Sequence, residues 1–215
     1  MYVLASSAAM SARDFLDPAA KQKVSETIEA IELQTAAEIV VAVRKVSGHY
    51  RHSDYLLGSL LALVGLLVFL FHPEPFDEDL FPLAEALLFV TGVTFSAGID
   101  PLRRVLTSRK LREANVKMAA HAAFYEMGVS RTTGRTGVLV YVSLLERCVE
   151  VAVDTGVDTA SLDEAWKEAL KVMQEGVEQG NFPRFLDGLL RMGPPLGKQL
   201  PRSADDVNEL SNEVR

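Results

Sequence analysis

The chain has a single cysteine, Cys148, and a single tryptophan, Trp166, among 215 residues. One cysteine excludes an intramolecular disulfide framework and suits a reducing compartment. It also falls in a stretch with strand character, where a buried thiol is usually inert. No Ser–His–Asp set, metalloprotease motif or P-loop is legible. The formal charge of −7 leaves no broad basic face, so nucleic acid is not expected as a main partner. The opening residues MYVLASSAAMSARDF lack the basic start and long apolar core of a signal peptide. There is no internal repeat and no low-complexity tract.

Two long apolar runs stand in the middle. Tyr55 to Phe71 carries no charge, and Leu83 to Ile99 carries only Glu85. A spanning helix needs about 20 apolar residues, with roughly 17 as the lower limit. Both runs sit near that limit, and the alternative is a buried helical pair in a soluble core. The first run is apolar all round, whereas a helix at a protein surface shows one apolar stripe. Glu85, Thr91, Thr94 and Ser96 suit a helix–helix contact, and Gly58, Gly65, Gly92 and Gly98 allow close approach. The loop HPEPFDEDLFP between the runs has no Lys or Arg. Arg44, Lys45 and Arg51 precede the first run, and Arg103, Arg104, Arg109, Lys110, Arg112 and Lys117 follow the second. The positive-inside rule therefore predicts an integral inner or plasma membrane protein with both termini cytoplasmic. The basic cluster also suits anionic lipid headgroups.

The flanking sequence reads as one α/β domain. Asp17-Pro18 is an N-cap followed by Pro at the first helical position, opening a helix to Leu33 with Val24, Ile28 and Ile31 at helical spacing. Ile39 to Val43 is a β-branched run expected as a buried strand. After the hairpin a long helix is predicted from about Leu102 to Met127, ended by Gly128. Val138–Ser143 and Cys148–Val153 read as antiparallel strands joined by a short turn. Asp163 to Gln179 is an amphipathic helix, and Asn181-Phe182-Pro183 opens another to about Met192. The Pro- and charge-rich remainder is expected to be partly extended. The organisation is thus an N-terminal segment (1–16), a first domain part (17–53), a hairpin (54–100, helices about 55–71 and 83–99), a second domain part (101–193) and a tail (194–215). The expected fold is a small α/β/α sandwich whose strands come from both sides of the hairpin, close to the bilayer.

These residues carry a resemblance. Glu29, Thr35 and Glu38-Ile39-Val40-Val41 look like the opening helix and first strand of the TPM domain. Thr133 to Ser143, Glu146-Arg147, Val149-Glu150-Val151 and Asp154-Thr155-Gly156-Val157 look like its central hairpin and following loop. Leu200-Pro201-Arg202 and Asp206 to Leu210 resemble the C-terminal signature of a bacterial branch whose TPM domain is interrupted by a transmembrane hairpin. The resemblance runs from about Asp17 to Val214. It implies a compact α/β sandwich. TPM domains are associated with photosystem repair, with accessory roles for membrane receptors and with acid phosphatase activity in plants, and some are similar to calcium-binding modules. Many are secreted or lumenal, a plan from which this chain departs.

Candidate chemistry gathers at the strand ends. Glu38, Asp154 and Asp158 are the best metal candidates, for Ca²⁺ or another divalent cation through oxygen ligands. The plainer reading leaves them as solvated acids, with Asp154 shaping a turn. Arg135, Thr136 and Gly137, with Glu146, Arg147 and Gly156, are candidates for binding an anion or a partner. The alternative pairs Arg135 with Glu38 or Glu146. His49, His52 and Asp54 have zinc-like spacing but no second cluster, so Tyr50, His52 and Tyr55 suit the membrane edge better. Asp205 to Glu209 lacks the pattern of an EF-hand loop and is expected to be solvated or docked. The expectation is a non-catalytic interaction or assembly module, bound to the membrane and to a membrane or cytoplasmic protein. A metal-dependent phosphatase-like hydrolase and a structural homo-oligomer are the alternatives.

Overall fold

The computed structural model of the chain describes residues 15–73, 78–203, 208–212 and 214. It is a mixed α/β protein with one small three-stranded sheet. The chain divides into two compact units, Met1–Ser47 with Glu113–Arg215, and Gly48–Arg112.

The first unit holds the sheet. β1 (Glu38–Arg44) pairs parallel to β2 (Gly137–Ser143), with Glu38 opposite Gly137 and Arg44 opposite Ser143. β2 pairs antiparallel to β3 (Cys148–Val153), with Val138 opposite Val153. β1 and β2 are buried almost throughout, as continuous β-branched runs demand. Alternation divides their side chains between two cores. Ile39, Val41, Val43, Val138, Val140 and Val142 join one cluster with α1 (Pro18–Glu32), α6 (Glu164–Gln179), α7 (Phe182–Leu190) and α8 (Gly193–Gln199). Val40, Ala42, Leu139 and Tyr141 join another with Val116, Ala120, Ala123 and Phe124 of α5 (Arg109–Glu126).

Local signals place these helices. Asp17 Oδ1 accepts from the Ala19 N–H at 3.2 Å, and Asp163 Oδ1 from the Ala165 N–H at 3.0 Å. Asn181 Oδ1 accepts from the Arg184 N–H at 3.0 Å. Gly128 follows α5 with φ 74°, a left-handed conformation that glycine adopts without strain.

One expectation is corrected. The long helix from Leu102 is two helices, α4 (Asp100–Leu106) and α5. Thr107 between them is extended at φ −113° and ψ 129°, and Ser108 Oγ accepts from the Leu111 N–H at 3.4 Å. Ser and Thr compete with helical backbone in this way. Within the remainder that was expected to be partly extended, Gly193–Gln199 is helical, with prolines in the first turn where a missing N–H costs least.

The second unit is a hairpin of α2 (Arg51–Phe71) and α3 (Phe81–Gly98), followed by α4. Both long helices are apolar and long enough to cross a membrane. Little of either apolar stretch is buried within the chain, so their side chains mostly face outward. Small residues make the inner face. Gly58 and Gly92 meet backbone to backbone, and Gly65 lies under Leu88 and Glu85. Ser96 Oγ donates to Asp54 Oδ1 at 2.8 Å, while Arg103 donates to both carboxylate oxygens of Asp54, at 3.0 and 2.7 Å.

Candidate functional site

The sheet register brings the starts of β1 and β2 and the end of β3 to one edge. Glu38 lies opposite Gly137, whose carbonyl accepts from the Asp154 N–H at 2.8 Å. The end of α1 brings Glu32 to this edge, and the loops there carry Arg135, Thr136 and Gly156. The chain returns here a last time, because Leu200 O accepts from the Ala36 N–H and the Thr35 hydroxyl, each at 2.9 Å.

Residues 208–212 then lie across the strand ends. Glu38 Oε1 accepts from the Glu209 N–H at 3.1 Å, and Oε2 from the Leu210 N–H at 3.2 Å. Glu32 Oε2 accepts from the amides of Asn208 and Asn212 at 3.2 and 2.9 Å. Its other oxygen accepts from the Ile39 N–H at 3.2 Å. Thr133 donates to Glu209 Oε2 through its N–H at 2.8 Å and its hydroxyl at 3.1 Å. A cavity of about 270 Å³ remains, lined by residues that include Glu29, Glu32, Glu38, Arg202 and Asn212. Leu33 on its wall is 72% exposed.

Glu32 is the unusual group. Burial raises its pKa from the ordinary 4.5 to about 7, the negative charge of Glu38 adds to the rise, and the hydrogen bonds from Ile39 and Asn212 oppose it. A buried carboxyl titrating near neutrality beside a second carboxylate can exchange a proton or accept donors from a ligand. The sequence held a signal for it: Glu32 follows Val24 and Ile28 at four-residue spacing, an acid on the apolar face of α1.

The metal candidates do not converge. Glu38 is engaged by the tail, while Asp158 Oδ1 accepts from the Ala160 N–H at 3.0 Å in a turn. Asp154 is not solvated; it is 5% exposed, and its Oδ1 accepts from the Thr155 N–H at 2.7 Å and lies 3.3 Å from Arg135 Nε. Arg135 thus pairs with Asp154 and with neither carboxylate expected for it. Among the described residues no three acidic, His or Cys side chains group as metal ligands would. The Oδ2 of Asp154 is buried with no hydrogen-bond partner among the described residues.

The other candidates divide by position. Thr136 O accepts from the Glu38 N–H at 3.3 Å, and Gly156 donates to Arg135 O at 2.8 Å. A Cβ on Gly156 would stand 2.5 Å from Gly134 O, so this loop requires glycine. Gly137 lies buried against the Val129 carbonyl. Glu146 and Arg147 sit at the opposite end of the sheet, in the β2–β3 turn. There Glu146 accepts from the Ser47 N–H at 2.9 Å and from the Ser143 hydroxyl, and Arg147 donates to Glu178 O at 2.8 Å. They belong to no common site with Arg135. The Asp205-Asp206 part of the tail lies outside the described residues, whereas Asn208 and Glu209 are docked.

The fold is shared with a solved protein. The NMR structure of the BA42 protein from the psychrophilic bacterium Bizionia argentinensis superposes with a TM-score of 0.54 at 19% identity, covering 95% of this chain and 93% of that one. At that identity the likeness speaks for the fold alone. No protein-family model and no curated protein matches the sequence.

Proposed function

We propose that this chain is a membrane-anchored TPM-like module that binds a protein partner through the loops at its strand ends. The hairpin is the anchor, with both termini on the cytoplasmic side, and the soluble part is a small α/β/α sandwich. The outward apolar faces of α2 and α3 support the anchor, and the Lys and Arg residues flanking the hairpin support the orientation.

One observation carries the binding role: the strand-end cleft already holds polypeptide, with Glu38 accepting two successive backbone N–H groups. Groups that accept from main chain suit a protein ligand. A photo-crosslinking residue in place of Leu33, on the exposed wall of the cavity, tests the reading in intact membranes. A discrete adduct, missing from a probe at the exposed Leu190, is the expected result. Equal, diffuse labelling from both positions rejects it.

A phosphatase-like hydrolase is the second reading, favoured by the unpartnered Asp154 Oδ2 beside Arg135. It predicts turnover of a generic phosphoester that Asp154→Asn abolishes. Equal activity in the variant removes this reading for this site.

A further inference from the structure

The contacts at the strand ends read side chains as well as backbone. Asn208 and Asn212 are both selected by one oxygen of Glu32, which can accept from an amide N–H but cannot donate when ionised. The Glu209 carboxylate meets two donors on Thr133. Leu210 packs against the cluster beneath α5, and Val214 against the opposite one. The segment also holds its own turn: Asn208 Oδ1 accepts from the Leu210 N–H at 3.1 Å, and Asn208 Nδ2 donates to Asn212 Oδ1 at 2.8 Å. A peptide that organises itself this way loses less entropy on docking.

None of these contacts depends on the covalent link to the rest of the chain. We infer that the strand-end cleft is a sequence-reading peptide groove whose ligand is a partner segment with the Asn-Glu-Leu-x-Asn chemistry of residues 208–212, and that the chain's own tail is its resident competitor. This rests on the interaction reading above and names the partner's chemistry. The tail holds its place partly by tethering, since a short linker supplies a local concentration on the order of millimolar. A partner segment making the same contacts therefore has to bind well or arrive at high local density. The remaining cavity and the exposed Leu33 beside it offer such a segment contacts that the tail does not use.

The test uses the full chain in lipid nanodiscs, with a protease site replacing residues 204–207. Cutting after folding turns the tail into a free peptide that can be washed out. A fluorescent peptide of residues 207–215 is then titrated by anisotropy. The cut protein should take it up saturably, and the uncut protein at least tenfold more weakly. A peptide with both Asn208→Ala and Asn212→Ala should bind at least tenfold more weakly to the cut protein. Glu38→Gln in the protein should have a similar effect, and the peptide variants keep the test valid if that protein fails to fold. No uptake by the cut protein, equal uptake by cut and uncut forms, or equal binding of the double-alanine peptide overturns the inference. Dimerisation of the uncut chain that disappears with Asn208→Ala/Asn212→Ala would name a second copy as the occupant and overturn the partner assignment. If the peptide fails while the Leu33 adduct persists, the peptide motif falls and the interaction role stands.

Discussion

Gly92 lies against the backbone of Gly58, so close that a Cβ on Gly92 would stand 2.7 Å from the Gly58 Cα. This is the closest kind of helix approach, available only to small residues. It places Gly58 and Gly92 on the contact between the two helices of one chain, where Gly65 also lies. Gly92→Ala should destabilise the hairpin by about 1–3 kcal/mol, the usual cost of overpacking. Gly98→Ala is the control, because nothing lies within 4 Å of a Cβ there, and it should stay within about 0.5 kcal/mol of the parent. Thermal unfolding in detergent reads both.

The Asp54–Arg103 pair should be worth more than an exposed ion pair. Its two bonds are charge-assisted, and the Asp54 side chain is only 6% exposed. Asp54→Asn and Arg103→Ala should each cost about 2–4 kcal/mol, with a coupling of about 1–3 kcal/mol in the double-mutant cycle. Additive losses would show that the two residues act independently.

Glu32 gives the sheet-bearing unit a pH dependence of definite sign. Its folded pKa of about 7 lies above its ordinary 4.5, so the folded protein holds this proton more tightly than the unfolded chain does. The contribution is full below about pH 4.5, is lost as pH rises toward 7, and is flat above. The total is on the order of 3 kcal/mol at most. Glu32→Gln should flatten the slope of melting temperature against pH across that window. An unchanged slope would assign it to another group.

The orientation can be read by cysteine labelling in a Cys148→Ser background in a bacterial host. An impermeant maleimide should label His72→Cys in intact cells, and Ser203→Cys only after permeabilisation. The reverse pattern would invert the topology.

The sequence was most readable where structure is local. Asp17, Asp163 and Asn181 cap their helices as their residue types suggest, and the short Leu144–Arg147 link brings β2 and β3 together antiparallel. The break at Thr107 escaped because the basic and apolar residues around it keep helical spacing through it. The partner of Arg135 escaped because it depends on register: Val138 opposite Val153 carries Asp154 to the start of β2. The docking of Asn208 and Asn212 onto Glu32 spans nearly the whole chain, and no local pattern encodes such a pairing. An acid on the apolar face of α1 was the one trace it left.

The parallel pairing of β1 with β2 also sets an order of events during synthesis. Positions 45–136 must leave the ribosome before β1 can meet its neighbour, roughly 5–20 s at ordinary elongation rates. Both apolar helices emerge in that interval, while Glu38–Val43 is still an unpaired, aggregation-prone strand. If the hairpin enters a membrane as proposed above, the sheet closes only after that insertion has begun. On that proposal, a chain whose hairpin stalls would be left without a closed sheet, and insertion and folding would share a single checkpoint.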